Sequence, residues 1–132
     1  ATRTSWRSIV TPVTPVTARR RSSGLRELDE MLCGGFVDGS TTSVIGPPGV
    51  GKTSLGLTFL QAGVAADERG LYVGFYEQPQ SLLAKARGIG IPLDAGVADG
   101  LLRIDWRAPL EDLLDEVAEL LFVRIREHAL QR

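Results

Sequence analysis

The segment from Gly46 to Thr53 constrains the fold and chemistry of this chain more than any other. It reads Gly-Pro-Pro-Gly-Val-Gly-Lys-Thr and satisfies the pattern G-x-x-x-x-G-K-[ST] in full. This pattern describes a loop that joins a strand to a helix and surrounds a phosphate with backbone N–H groups. A β-rich run over residues 41–45 precedes the loop, and a mostly apolar run over residues 53–66 follows it. We therefore predict a buried strand, a phosphate-binding loop and a helix, in that order.

The residue types in this loop match the needs of a triphosphate. The glycines allow unusual backbone angles and a close approach of the backbone to the ligand, and the prolines stiffen the loop. Lys52 supplies a positive charge between the β- and γ-phosphates, and the Thr53 hydroxyl is placed to bind Mg²⁺. The following helix adds the positive end of its dipole. The predicted cofactor-binding residues are Gly46, Pro47, Pro48, Gly49, Val50, Gly51, Lys52, Thr53 and Ser54. The alternative, a glycine-rich turn with an incidental lysine, does not account for the strand and helix on either side.

Hydrolysis of a bound triphosphate needs a further group that activates or orients water, and an acid that supports Mg²⁺. Two acids follow predicted strands: Glu77 closes the run over residues 71–76, and Asp105 closes the run over residues 101–105. The carboxyl ends of parallel strands are where such sheets hold their ligands. Either residue can instead be an ordinary strand-end or helix-capping acid, so the pattern leaves both open.

The rest of the chain alternates helices with strands. Apolar spacing predicts helices over residues 25–32, 79–88 and 109–126, with a loop over residues 93–100. The apolar stripe of the last helix comprises Leu110, Leu113, Leu114, Val117, Leu120, Leu121 and Ile125. This alternation predicts an α/β fold with a mostly parallel sheet flanked by helices. Three strands are few for such a sheet, and the last helix should lead to a fourth, so we expect a domain that is incomplete at its C-terminus.

Composition narrows the class of protein. The chain of 132 residues fits one domain, and it contains no run of apolar residues long enough to span a membrane. A single cysteine excludes an internal disulfide and favours a reducing compartment, so we expect a cytoplasmic protein. A single histidine excludes a multi-histidine zinc site and argues against a Ser–His–Asp hydrolase. The available chemistry is that of lysine, carboxylates, hydroxyls and backbone.

Residues 1–21 are predicted to form a flexible basic arm. Residues 1–26 contain six arginines and no acid, whereas residues 27–132 carry a net charge of −7. A repeated Thr-Pro-Val unit excludes a regular helix in the arm. The arm can bind phosphates, act as a transit peptide or be a solvated linker. The acidic body argues against a broad nucleic-acid-binding face there.

The segments around the phosphate loop resemble a known family. Together they are similar to the entry signature and the second strand and helix of KaiC-like and RadA-like ATPases of the RecA superfamily. The matching segments are residues 23–25, 28–32, 34–36, 39–40, 71–79, 82–86 and 88–89. The resemblance covers about residues 22–126, and we assign residues 22–132 to one ATP-binding domain of this type.

The resemblance implies a RecA-like P-loop core that binds ATP with Mg²⁺ and assembles as a homo-oligomeric ring, often a hexamer. It makes Glu77 the candidate catalytic base, alongside Lys52. KaiC has two adjacent glutamates at this place, whereas this chain has Tyr76-Glu77. The Asp that supports Mg²⁺ in the family lies on the strand after the long helix, which would start beyond Arg132. By this comparison Asp105 lies on an earlier strand, and we drop it.

Three functions remain. The first is an ATP-binding module of this family, with Mg²⁺-dependent ATP hydrolysis in the complete domain. The second is an oligomeric switch that responds to the nucleotide without appreciable hydrolysis. The third is a recombination ATPase of the RecA or RadA type that binds DNA through the arginine-rich arm.

Overall fold

A computed structural model describes residues 18–108, 114–128, 130 and 132. The fold of these residues is mixed α/β. Its elements in chain order are β1 (Arg20–Arg21), α1 (Arg26–Met31), β2 (Phe36–Val37), α2 (Lys52–Ala65), β3 (Gly70–Gly74), α3 (Pro79–Gly88), α4 (Asp94–Ala98), β4 (Leu102–Trp106) and α5 (Leu114–His128). The Thr-Pro-Val repeat and the predicted start of the last helix at residues 109–113 lie outside the described residues.

The helices match the predicted pattern closely. The helix after the phosphate loop, α2, lies within one residue of the predicted bounds, and α3 begins at Pro79 and ends at Gly88 as predicted. Proline suits the first turn of a helix because its missing N–H is not needed there. The predicted loop over residues 93–100 contains the short helix α4.

β1 and β2 form a small antiparallel sheet around α1. Arg20 and Arg21, which the sequence pattern assigns to the arm, are therefore part of the fold. The two strands approach closely, since a Cβ at Gly35 would lie 2.2 Å from the carbonyl oxygen of Arg21. Arg20 donates from Nη1 to the carbonyl oxygen of Leu32 at 2.8 Å, at the C-terminus of α1.

A group of ion pairs fastens this N-terminal sheet to the body. Arg21, which is 9% exposed, contacts both Asp38 and Glu68. Glu68 also binds the guanidinium of Arg132, which lies 4.6 Å above the ring of Phe59. The hydrogen bonds that Arg21 donates to Asp38, helped by the negative charge of Glu68, raise the pKa of Arg21. These four charges, Arg21, Asp38, Glu68 and Arg132, are the arginine–carboxylate network of the molecule.

β3 and β4 pair in parallel, with Gly70 opposite Leu102 and Gly74 opposite Trp106. The sequence predicts a mostly parallel sheet, and these two strands pair in that direction. The other edge of β3 also carries backbone hydrogen bonds: Arg132 donates to the Arg69 carbonyl, and the N–H of Leu71 donates to the Arg132 carbonyl, both at 3.0 Å. In a parallel ladder, one residue donates to and accepts from two residues of its neighbour in this way. Arg132, which follows α5, therefore lies beside β3 at the edge of the sheet.

The predicted buried strand over residues 41–45 is wrong for this structure. These residues have no assigned secondary structure, and Val44 and Ile45 are 49% and 94% exposed. A β-rich run becomes a strand only when a neighbour pairs its N–H and C=O groups. In the described structure β3 is bounded by β4 on one edge and by Arg132 on the other, so neither edge reaches this run.

The core lies where α2 and α3 cover the parallel sheet. Its fully or nearly buried side chains are Leu57, Leu60, Leu82, Ala86, Leu93 and Leu102. The stripe predicted for the last helix contributes less: Leu121 and Ile125 are 39% and 43% exposed, since a two-stranded sheet offers little surface to cover it. Among the described residues, no helix is both long and apolar enough to cross a membrane.

Candidate functional site

The phosphate loop bends through two glycines in the left-handed region. Gly49 has φ +85° and Gly51 has φ +94°, angles that residues with a Cβ rarely adopt. A Cβ built on either glycine meets no atom within 4 Å. The loop therefore leaves open space beside its backbone, where a ligand can approach. The sequence predicts an unusual backbone angle at Gly46 as well, but its φ is not positive. A side chain at this position is disfavoured by lack of space, since a Cβ there would lie 3.0 Å from Val50 Cγ2.

Lys52 is held at the loop by backbone acceptors. Its Nζ donates to the carbonyl oxygen of Gly46 at 2.6 Å and to that of Pro47 at 2.8 Å. The side chain is half-buried. A phosphate oxygen carries a full negative charge and is a stronger acceptor than a carbonyl. The ammonium is thus already at the loop and can exchange these carbonyls for a phosphate.

The N-terminus of α2 points into the same region. The first N–H groups of any helix lack intrahelical partners, and Gly51, the residue that caps α2, has no side chain to bind them. The first hydrogen bond of the helix runs from Leu55 N–H to the Gly51 carbonyl at 2.9 Å. Thr53 and Ser54 lie half-buried in this first turn. Free N–H groups and the helix dipole together favour an anion here.

Glu77 lies in the bend between β3 and α3, three residues after the strand ends. Its Oε1 accepts a hydrogen bond from Lys85 Nζ at 2.7 Å. Its Oε2 is shielded from solvent and has no hydrogen-bond partner among the described residues. A shielded carboxylate oxygen without a donor is an unsatisfied acceptor, so a donor that reaches it would be bound strongly. The sequence places Glu77 at the carboxyl end of the strand, but it does not reveal the contact with Lys85.

Tyr72 reports on the surroundings of Glu77. Burial raises the pKa of the Tyr72 hydroxyl, the negative charge of Glu77 raises it further, and the positive charge of Lys85 lowers it. These three residues therefore interact electrostatically on one side of the parallel sheet.

Asp105 is occupied by arginines. It lies on β4 opposite Val73, accepts a hydrogen bond from Arg103 Nε at 2.8 Å, and contacts Arg124 Nε at 3.3 Å. The ion pair with Arg124 joins β4 to α5, whereas the one with Arg103 lies within β4. These contacts give Asp105 a structural role.

A groove of about 700 Å³ separates the run over residues 41–45 from the parallel sheet. Apolar side chains line most of it, among them Val44 on one side and Leu71, Ile125 and Leu130 on the other, and Lys52 also reaches it. Sequence patterns did not reveal this groove, because it results from the separation of two runs that were both expected to lie within one sheet.

The site carries the residues that a nucleotide needs. Among the described residues, no group of three His, Cys, Asp or Glu side chains could hold a metal ion. Mg²⁺ bound with a nucleotide is usually held by one or two protein groups together with phosphate oxygens and water. The open loop, Lys52 and the hydroxyl-bearing first turn of α2 fit such a group.

Comparison with known proteins gives the family. The family model described as "ATPase: KaiC" matches residues 21–116. Circadian clock protein KaiC2 of Synechocystis sp. is 37% identical over 95 residues, which is 71% of this chain and 17% of that protein. Circadian clock oscillator protein KaiC of Parathermosynechococcus lividus is 38% identical over 102 residues, covering 74% of this chain and 19% of the relative.

A third relative is a DNA repair protein. DNA repair protein RadA of Haemophilus influenzae is 41% identical over 75 residues, covering 57% of this chain and 16% of that protein. The chain thus spans about a fifth of the length of the relatives it matches. Since the family model covers well over half of the sequence and includes the phosphate loop, this chain belongs to the KaiC family of RecA-like ATPases.

Proposed function

We propose that this chain binds ATP with Mg²⁺ and that the complete domain hydrolyses it. The observation that carries the proposal is the phosphate loop: two left-handed glycines leave open space beside the backbone, in front of an uncapped helix N-terminus. In this proposal the loop N–H groups and Lys52 bind the phosphates, and the Thr53 hydroxyl is a ligand of Mg²⁺. Mg²⁺ supplies additional positive charge that neutralises the phosphates.

Glu77 is the catalytic base in this proposal. Its unpartnered Oε2 accepts a hydrogen bond from the attacking water and polarises it. Lys52 stabilises the charge on the phosphate oxygens as the terminal phosphoryl group is transferred to that water. One carboxylate acts here, because the preceding residue is Tyr76, which is 88% exposed.

The complete domain, in our proposal, contains a further parallel strand between β3 and the run over residues 41–45. Three observations support this: the ladder hydrogen bonds of Arg132 at the edge of β3, the apolar groove beside them, and the backbone of residues 41–45, which pairs with no strand in the part of the chain that the structure describes. A strand there would pair with β3 on one side and with residues 41–45 on the other, and it would bury Val44 and Ile45. The result is the mostly parallel, RecA-like sheet expected from the sequence, with an acid on that strand supporting Mg²⁺.

Calorimetry with Mg²⁺ and ATP tests the binding step. We expect Lys52→Ala to weaken binding by about a hundredfold or more, because a charge-assisted contact to phosphate is lost. Arg26→Ala is the matched control, since Arg26 is 82% exposed and pairs with Glu30 at 3.6 Å on α1. Equal binding by the parent and Lys52→Ala would contradict the assignment of the loop. Glu77→Gln is expected to retain binding and lose hydrolysis.

Assembly and location are further parts of the proposal. A homo-oligomeric ring is supported by apolar side chains that remain exposed near the loop, such as Met31 and Val50, which are 81% and 59% exposed. Light scattering with and without ATP measures the assembly. An exposed free thiol at Cys33 fits the cytoplasm.

DNA binding is a weaker alternative. The RadA relative favours it, but Arg20 and Arg21 are already bound by protein acceptors, and the body is acidic. Salt-dependent DNA binding that is lost on removal of residues 1–17 would support it. An ATP-binding protein without measurable turnover would instead support the oligomeric switch.

A further inference from the structure

Lys85 and Glu77 form an ion pair that joins the bend after β3 to helix α3. The contact is a charge-assisted hydrogen bond of 2.7 Å, with the two side chains 46% and 38% exposed. The residues are eight positions apart, so the pair is not a helical i,i+4 contact. It links a residue on an irregular segment to one on a fixed element.

Helix α3 holds Lys85 in a fixed place. Leu82 and Ala86, on either side of Lys85 in the sequence, are both fully buried in the core. The helix starts directly after the bend, with Gln78 as its N-cap and a hydrogen bond from Leu82 N–H to the Gln78 carbonyl at 3.0 Å. The backbone that carries Lys85 is therefore anchored, whereas Glu77 is held mainly by what its side chain contacts.

The two oxygens of Glu77 have different surroundings. Oε1 is bound by Lys85, and Oε2 is shielded from solvent without a partner among the described residues. Because the ammonium fixes one oxygen, the orientation of the other is fixed as well. The oxygen left over is the one that can accept a proton or hydrogen bond from a ligand or water.

We propose that Lys85 is a positioning residue for the proposed ATP hydrolysis: it holds Oε1 of Glu77 and so leaves Oε2 as the acceptor for the attacking water. This inference rests on the proposed function, because it assigns Glu77 the role of base. Lys85 itself touches neither substrate nor the reacting atoms. Without it, the Glu77 side chain is free to adopt other rotamers, and the water loses its oriented acceptor.

Measurements of ATP turnover by three variants test this role. Lys85→Met removes the charge and keeps much of the apolar stem, and we expect kcat to fall about five- to tenfold with KM for ATP changed by less than about twofold. Lys85→Arg restores a donor and should recover most of kcat. Arg87→Met is the matched control, because Arg87 lies on the same helix as Lys85 and is similarly exposed. This change breaks the ion pair of Arg87 with Asp94 on α4 and should leave kcat unchanged. An unchanged kcat in Lys85→Met, or an equal loss in Arg87→Met, overturns the proposal.

The ionisation of Tyr72 provides a second readout that needs no activity. In a Tyr76→Phe background Tyr72 is the single tyrosine, because the chain has two. Lys85→Met should raise the Tyr72 pKa further, since a nearby positive charge is lost, and Glu77→Gln should lower it. No shift in Lys85→Met would overturn the pairing itself. A parent protein that shows these shifts but binds no ATP would instead refute the proposed function, so the two failures are distinguishable.

Discussion

Gly51 shows how one residue can set both the shape of the loop and the start of a helix. It is the N-cap of α2 with φ +94°, and its missing side chain leaves the first N–H groups of the helix uncapped. Sequence patterns predicted the glycine and its role at the helix start. They did not predict that Gly46 leaves room for the Val50 side chain, or that Lys52 donates to loop carbonyls, because both depend on the path of the backbone.

Gly51→Ala is expected to destabilise the protein by about 1–2 kcal/mol, because alanine in the left-handed region brings its Cβ too close to the following carbonyl oxygen. Space is not the obstacle, since a Cβ at Gly51 meets no atom within 4 Å. Urea denaturation measures the change. Gly88→Ala is the control: its Cβ also enters open space, but Gly88 lies in α3 without a positive φ, so we expect no loss of stability. Equal losses in both variants would contradict this explanation.

The elements differ in how far local sequence determines them. α3 was predicted closely, because Pro79 marks its start and Gly88, Gly90 and Pro92 mark where it ends. The run over residues 41–45 has the composition of a strand but no partner strand within the described residues, so its conformation depends on the rest of the sheet. The bend that carries Glu77 is intermediate. Its position after β3 can be predicted from the sequence, whereas the contact of Glu77 with Lys85 depends on how α3 packs.

Asp29 connects α1 to the turn after β1, and its effect on stability should depend on pH. Hydrogen bonds from the hydroxyls of Ser22 and Ser23 lower the pKa of Asp29, and the Ser23 N–H donates to it at 2.7 Å. A carboxyl whose pKa is lower in the folded state stabilises the fold above its unfolded pKa, about 4. That contribution is lost as the pH falls through the folded pKa.

We therefore expect Asp29→Asn to be less stable than the parent by less than about 1 kcal/mol at neutral pH, with the difference shrinking at acidic pH. Denaturant titrations between neutral and acidic pH measure it. Glu30→Gln on the same helix is the control, because Glu30 is 68% exposed. A difference that does not change with pH would show that the charge of Asp29 is not responsible.

At the scale of the whole molecule, long-range charges connect the parts that sequence patterns treat separately. Glu68, which is 14% exposed, lies between Arg21 and Arg132 in the arginine–carboxylate network. Arg132 also donates to the carbonyl oxygen of Ser22 at 2.6 Å and to that of Phe59 at 3.1 Å. Sequence patterns could not predict this network, since its members are scattered along the chain and no local period relates them.

Glu68→Gln is expected to destabilise the protein by about 2–3 kcal/mol, because two largely buried guanidinium groups lose their shared carboxylate. Thermal and urea denaturation measure the loss. Glu127→Gln is the control, since Glu127 is 51% exposed and pairs with Arg124 on α5; there we expect a change below about 1 kcal/mol. Comparable stability of Glu68→Gln and the parent would show that the network adds no net stability.

The position of Arg132 in this network also bears on the order in which the molecule matures during synthesis. Arg132 is made 64 residues after its partner Glu68 and 110 residues after Ser22. At typical ribosomal speeds the first interval lasts on the order of several seconds, far longer than a helix needs to form. Helix α2 and the N-terminal sheet can therefore fold on the ribosome several seconds before Arg132 is available to bind Glu68 and the Ser22 carbonyl.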